Sequence, residues 1–242
     1  MSTSTTLPSP HQRYVQSGFC WDRADAYLFD IDGTLLNCRD SVHSRAFHHA
    51  FQDVLGVAAS LNGLVLHGNT DIGILRGALR REGIADTLID SRMNAIVERM
   101  CAQVLQEREQ LEPEICPSIR ELLSCLRERG KLLGVASGNL EPIGWTKLER
   151  AGLRDAFSFG SFAWPREARV EIFREGVTLA QERLGRAANV CVVGDTPADI
   201  QAARAAGLPV IALATGIYDF AALRGHEPDV CCGSAMDLLA LR

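Results

Sequence analysis

Tyr27-Leu28-Phe29-Asp30-Ile31-Asp32-Gly33-Thr34 is a short apolar run that ends abruptly in two carboxylates and a glycine. The same pattern recurs downstream. Leu132-Leu133-Gly134-Val135-Ala136 stops at Ser137, Val190-Cys191-Val192-Val193 stops at Gly194-Asp195, and Val210-Ile211-Ala212-Leu213-Ala214 stops at Thr215. Runs this short, rich in branched residues and apolar on both faces, read as buried parallel strands. Between them lie segments of helical period: Ile119 to Arg129, Pro142 to Ala151, Val170 to Leu184 and Pro197 to Ala206. Gly130, Gly152, Gly185 and Gly207 fall just past their ends, where glycine closes a helix with least strain. Strand alternating with helix predicts an α/β fold with a Rossmann-like, doubly wound parallel sheet.

One stretch departs from this rhythm. No strand-like run bounded by turns lies between Asn37 and Glu114. Helical stretches stand there instead: Ser41 to Leu55, Asp71 to Arg81, and Ile84 to Glu109, the last with a break expected near Asp90-Ser91. The segment is too long for a βα connection and too periodic for a loop. Residues 38–115 are therefore expected to form an inserted α-helical domain, joined to the rest by linkers near 36–39 and 112–117, where Pro113 and Pro117 interrupt helix. Residues 24–37 and 116–242 are expected to make the α/β core. Residues 1–23, opening with Thr3, Ser4, Thr5, Pro8, Ser9 and Pro10, read as a flexible leader.

Bulk properties narrow the function. The 242 residues are 47% hydrophobic and 23% charged, an ordinary globular balance. The net charge is −5 and no run of Lys and Arg stands out, which argues against a nucleic-acid partner. No apolar stretch reaches the length of a membrane span. The N-terminus lacks the basic-then-apolar order of a secretory signal, so a cytoplasmic location is expected. The eight cysteines are scattered without zinc spacing and are expected to be free thiols, Cys191 and Cys231 inside apolar runs.

Open α/β sheets bind ligands at the carboxyl ends of their strands, and here those ends are polar. They bring Asp30, Asp32, Ser137, Asn139, Asp195 and Asp199 toward one crevice. Carboxylates so gathered repel one another unless a cation sits among them, and an all-oxygen donor set suits Mg²⁺. A carboxylate-held Mg²⁺ fits phosphoryl transfer. In Asp30-Ile31-Asp32, one carboxylate can attack phosphorus while the other protonates the leaving oxygen. Ser137-Gly138-Asn139 sits where a strand hands over to a helix, a place whose amides bind phosphate oxygens, although a turn with a helix cap has the same composition. Asp199 has two readings, a second carboxylate near the ion or the N3 acid of a helix capped by Thr196 with Pro197 at N1.

Taken in order, Asp30-Ile31-Asp32-Gly33-Thr34, Ser137-Gly138-Asn139 and Gly194-Asp195-Thr196-Pro197-Ala198-Asp199 resemble the haloacid dehalogenase-like hydrolases, from about Ala24 to the end. The chain resembles the branch with a helical cap after the first motif, which includes phosphoglycolate-phosphatase-like and phosphoglucomutase-like members. Ser137-Gly138-Asn139-Leu140-Glu141-Pro142, with Lys147-Leu148-Glu149, Ala151-Gly152-Leu153 and Phe157, is similar to a phosphatase-like subset, and His67-Gly68-Asn69-Thr70-Asp71 resembles the cap's substrate-facing loop. The resemblance implies Asp30 as nucleophile and Asp32 as general acid, then base. It implies Mg²⁺ on Asp30, the Asp32 carbonyl and Asp195 with Asp199 nearby, and phosphoryl oxygens held by Ser137, Gly138 and Asn139.

The chain departs from that family in its cation. The usual lysine before the third strand is missing, since Lys131 and Lys147 are the only lysines. Arg169 is the preferred substitute, with Arg166 and Lys147 as alternatives. No lysine lies in the insertion, which excludes a Schiff-base phosphonoacetaldehyde-type hydrolase; Asp32 disfavours a true dehalogenase. Substrate contacts from the cap are expected among Arg45, His48, Asn69, Thr70 and Arg76. The expected activity is a Mg²⁺-dependent phosphatase of a small phosphorylated metabolite, acting through an aspartyl-phosphate on Asp30. A sugar phosphomutase on the same core is the alternative, ahead of a non-catalytic binding module.

Overall fold

The computed structural model describes residues 12–241. In chain order the elements begin with β1 (Arg13–Val15), β2 (Ala26–Phe29), β3 (Leu36–Cys38), α1 (Val42–Leu55), α2 (Asp71–Arg81), α3 (Asp86–Gln106) and β4 (Pro113–Ile115). They continue with α4 (Ile119–Glu128), β5 (Leu132–Ala136), α5 (Glu141–Arg150), β6 (Phe159–Ser161), α6 (Arg169–Leu184), β7 (Val190–Gly194) and α7 (Pro197–Ala205). The last are β8 (Val210–Leu213), α8 (Phe220–Arg224), β9 (Val230–Cys232) and α9 (Ala235–Leu239).

A seven-stranded sheet runs β1-β9-β8-β7-β2-β5-β6, parallel throughout except for β1. β2 lies between β5 and β7, with Ala26 opposite Leu132 and Val190, and Phe29 opposite Val135 and Val193. This register levels the carboxyl ends of three strands, so Asp30, Ser137 and Asp195 leave the sheet at one edge. Alternation along β2 explains why both faces are covered. Tyr27 and Phe29 join Leu122 and Leu126 of α4 and Leu238 of α9 in one core. Ala26 and Leu28 face Ile172 and Phe173 of α6 and Ile200 of α7 in the other. Burying a side chain the size of Leu28 or Phe29 stabilises by about 1.5–3 kcal/mol, which anchors the strand that carries Asp30. The flanking helices follow from sequence in the same way. Ile119, Leu122, Leu123 and Leu126 make one buried stripe of α4, and Gly130 ends it at φ 71°.

The insertion is helical. α1 packs along α3 and α2 against its middle, with Phe47, Phe51, Leu75, Leu79, Met93, Ile96 and Met100 buried between them. α3 is continuous through Asp90-Ser91, where a break was expected: Ile89, Met93, Ile96, Met100 and Val104 keep one buried stripe in phase across it. The linkers are also more ordered than expected. β3 and β4 form an antiparallel ribbon, Leu36 opposite Ile115 and Cys38 opposite Pro113, so the chain enters and leaves the insertion at adjacent points.

The expectation of a leader through residue 23 is corrected. β1 adds to the sheet edge, with Arg13 opposite Cys232 and Val15 opposite Val230, and Trp21 is buried, its carbonyl accepting from the Tyr27 hydroxyl at 2.6 Å. Three residues are too short a run to show a period, and their pairing partner lies at the far end of the chain. Residues 1–11 of that leader lie outside the described residues. All eight cysteines are free thiols. Among the described residues no helix is long and apolar enough to cross a membrane.

Candidate active site

Asp30, Asp195 and Asp199 meet at the carboxyl edge of the sheet, all nearly inaccessible, with carboxylate oxygens within 4.8 Å of one another. Backbone geometry requires the glycines around them. Gly33 adopts φ 89°, and a Cβ on it would lie 2.1 Å from Asp195 Oδ2; one on Gly216 would lie 1.9 Å from the same oxygen. Thr34 Oγ1 donates to Asp195 Oδ1 at 2.9 Å and fixes its rotamer. Asp30 Oδ1 is buried without a hydrogen-bond partner. Burial pushes the Asp30 carboxyl up to about 7; Arg169 opposes the shift, while Asp199 and Asp32 add to it. Burial also raises Asp195 well above the carboxylate range, with Asp199 and Asp30 adding. A buried carboxylate oxygen without a hydrogen bond, gathered with two further hard oxygen donors, fits a divalent cation.

Arg169, the first residue of α6, faces this cluster. Its Nη1 lies 3.4 Å from Asp30 Oδ1 and bonds Asp199 Oδ1, and its Nε donates to the Gly68 carbonyl at 3.1 Å. Arg166 turns away and pairs with Glu175. Asp199 takes the capping role and also pairs with Arg169. Its Oδ2 accepts from Thr196 N at 3.0 Å in a capping box, with Thr196 as N-cap and Pro197 next, while its Oδ1 meets Arg169.

Asp32 lies on the other side of the crevice with Lys147, which projects from the buried face of α5 between Ile143 and Leu148. Lys147 Nζ donates to both Asp32 oxygens at 2.8 and 2.7 Å and to Asn139 Oδ1 at 2.8 Å. Asn139 Nδ2 donates to Asp32 Oδ2 at 2.7 Å and to Ser137 Oγ at 2.8 Å. Burial would raise the Asp32 carboxyl, but Lys147 and then His43, with the hydrogen bonds of Lys147 and Asn139, hold it below its ordinary value. Gly138 has no room for a side chain, since a Cβ would meet the Asn69 carbonyl at 2.4 Å.

The network continues into the insertion. His43 Nδ1 lies 3.1 Å from Lys147 Nζ, and its Nε2 lies 3.2 Å from Asp71 Oδ2. An ammonium only donates, so Nδ1 accepts and the ring hydrogen on Nε2 points to Asp71. Asp71 Oδ2 also accepts from Leu140 N at 2.8 Å, and Asp71 N donates to the Gly138 carbonyl at 2.7 Å. Sequence reasoning placed Asp71 at the end of a loop and the start of a helix without giving it a role at the site, and passed over His43. The available signal was Lys147 itself, a lysine at a core-facing position of an amphipathic helix.

A cavity of about 320 Å³ opens over these groups, lined by Asp30, Asp32, Ser137, Gly138, Asn139, Lys147, Arg169 and Asp195. Of the expected cap contacts, only Asn69 lines it. Arg45 pairs with Glu107, Arg76 with Asp90 and Glu167, His48 meets the Ala59 carbonyl, and Thr70 caps α2 and donates to the Glu167 carbonyl. Each is satisfied by a neighbour that is remote in sequence or invisible to periodicity.

Known proteins resemble the chain over most of its length. A family model described as haloacid dehalogenase-like hydrolase matches residues 24–207. A Dickeya dadantii protein named "Probable phosphatase IndB" is 30% identical over 208 residues, 84% of this chain and 86% of that protein. A Synechococcus elongatus protein named "Phosphoglycolate phosphatase" is 28% identical over 215 residues, 88% of this chain and 95% of that protein. Among solved structures, one described as a predicted phosphoglycolate phosphatase from Haemophilus somnus superposes with a TM-score of 0.63 at 21% identity, covering 89% of this chain and 96% of that one, a likeness of fold.

Proposed function

Because the chain belongs to the haloacid dehalogenase-like hydrolase family, we propose that it is a Mg²⁺-dependent phosphatase of a small phosphorylated metabolite, with Asp30 as the nucleophile. One observation carries this reading. Asp30 Oδ1 is buried without a hydrogen bond, lies 3.4 Å from the Arg169 guanidinium, and belongs to a residue that lines a cavity at the end of the central strand. A carboxylate oxygen left free of hydrogen bonds beside a cation suits a nucleophile.

Asp30 attacks phosphorus; its oxygen forms a bond to phosphorus as the bond to the leaving alcohol breaks. Lys147 keeps Asp32 ionised in the free protein; negative charge arriving with the phosphoryl group raises its proton affinity, so Asp32 takes up a proton from solvent as the substrate binds. It gives that proton to the departing alcohol oxygen. Asp32 then takes a proton from the water that attacks the aspartyl-phosphate, and the Asp30 carboxylate is released. Ser137, Gly138 and Asn139 hold the phosphoryl oxygens, and Arg169 balances charge on Asp30 and Asp199. Asp30, the Asp32 carbonyl and Asp195, with Asp199 behind them, would hold the Mg²⁺. Bound there, the ion neutralises charge on the carboxylates and on the phosphoryl group. Residues 38–115 form the lid over the reaction, hinged at the β3–β4 ribbon.

The test is phosphate release from a panel of phosphorylated metabolites with and without Mg²⁺. Activity lost in chelator and restored by Mg²⁺ is expected. Full activity in excess chelator refutes the reading.

A further inference from the structure

The two halves of the cavity differ in chemistry. Both long cations that line it are committed to the core: Lys147 to Asp32, Asn139 and His43, and Arg169 to Asp30, Asp199 and the Gly68 carbonyl. The half facing the insertion presents Ser44, Phe47, Leu61, Leu66, Asn69 and Ile74. Arginines of the insertion are paired elsewhere, Arg39 (between the lining residues Cys38 and Asp40) with Glu114, Arg45 with Glu107, Arg76 with Asp90 and Glu167, Arg80 with Asp86, and Arg81 with the carbonyls of Asn62 and Ser60. Two carboxylates, Asp40 and Asp71, also line this half, each already accepting backbone amides. Both ring nitrogens of His43 are engaged, and His67 stands exposed at the rim. Among the described residues, no lysine or arginine on this side is left to meet a second anionic group.

A carboxylate or second phosphate placed there would shed water without gaining an opposite charge, and would face Asp40 and Asp71. An alkyl or aromatic portion would lie against Phe47, Leu61 and Ile74, and a hydroxyl could reach Ser44 or Asn69. Resting on the phosphatase reading, we infer that the substrate is a phosphate monoester whose alcohol portion is uncharged and partly apolar. Anion-bearing esters, 2-phosphoglycolate included, are discriminated against, unlike the substrate named for the Synechococcus elongatus relative.

A matched pair tests this. 2-Phosphoglycolate and 2-hydroxyethyl phosphate differ by a carboxylate in place of a neutral CH₂OH. The wild-type protein should hydrolyse the neutral ester with at least a tenfold higher kcat/KM, and phenyl phosphate should exceed 4-carboxyphenyl phosphate by a similar factor. Leu66→Arg, at a partly exposed lining position, should raise the ratio of phosphoglycolate to hydroxyethyl phosphate at least tenfold. Equal or better turnover of phosphoglycolate by the wild type overturns the inference, as does a ratio that Leu66→Arg leaves unchanged. If p-nitrophenyl phosphate and both esters resist hydrolysis, the phosphatase reading fails on its own. Dissociation constants of the matched pair, measured by calorimetry on the same protein, then decide this inference by the same tenfold criterion.

Discussion

Lys147 is the most informative position to perturb, because its ammonium is buried while its partner carboxylate is not. The Lys147 side chain is 2% exposed and that of Asp32 42%. Lys147→Met keeps the length of the side chain and removes the charge. Breaking a fully buried ion pair costs about 3–5 kcal/mol, chiefly from the stranded partner charge. Asp32 is open enough for water to take over two of the lost bonds, and the variant no longer buries an ammonium. The loss should therefore fall to about 1–3 kcal/mol, the range of one charge-assisted hydrogen bond. For a chain of this size each kcal/mol moves Tm by about 2–4 °C. The pH dependence has a definite sign. Lys147 holds the Asp32 carboxyl below its ordinary value of about 3.9, so the stabilisation is present above that pH and fades as pH falls through the depressed value. The Lys147 ammonium is raised above its ordinary value of about 10.5, mainly by Asp32, so its share is lost only in strong alkali. Urea unfolding of wild type and Lys147→Met from pH 7 to pH 3 should show a gap that is level near neutrality and begins to narrow only below about pH 4. A gap below about 0.5 kcal/mol at pH 7, or one that widens toward pH 3, would refute the pairing argument.

Asp30→Asn should lose all but a few per cent of turnover while keeping or raising Tm without metal, since it removes one of three mutually repelling carboxylates. Activity near wild type would end Asp30's candidacy as nucleophile. Because burial raises the Asp30 carboxyl to about 7, Mg²⁺ binding should release a proton below that pH and weaken as the solution is acidified. Calorimetry in buffers of different ionisation enthalpy checks this, and an affinity unchanged between pH 8 and pH 5.5 contradicts it. Asp199→Ala leaves the buried Arg169 guanidinium with only Asp30 and the Gly68 carbonyl and removes the side-chain half of the α7 capping box that Asp199 supplies, so a loss of about 2–4 kcal/mol is expected in urea. A loss under about 1 kcal/mol would mean that Arg169 finds Asp30 sufficient.

The strand ends that carry Asp30, Ser137 and Asp195 were legible because each closes a run too short and too apolar to be anything but a buried strand. Asp199 was legible as a cap because Thr196-Pro197 announces a helix start, whereas its pairing with Arg169 joins residues 30 positions apart and no local pattern shows it. The cap contacts were not legible. Arg45 and Arg76 occupy helix positions that suit a ligand or a neighbour equally, and the choice falls to Glu107, Asp90 and Glu167, which folding brings near. His43 was missed because its partners, Lys147 and Asp71, belong to two other helices. β1, β6 and β9 are each three residues long, and strands of that length are defined by their neighbours rather than by any pattern of their own.

The β3–β4 ribbon has a consequence for how this architecture changes over time. Its two strands stand about 4.8 Å apart, so the core meets any insertion through a gap no wider than a hairpin turn. Closure entropy of the intervening chain grows only with the logarithm of its length. Helices can thus be lengthened, exchanged or removed between Cys38 and Pro113 while Leu36 and Ile115 stay paired. The strand that leads into Asp30 need not shift by a single residue. That freedom stops at residues such as His43 and Asp71, whose bonds to Lys147 and Leu140 tie the insertion to the core.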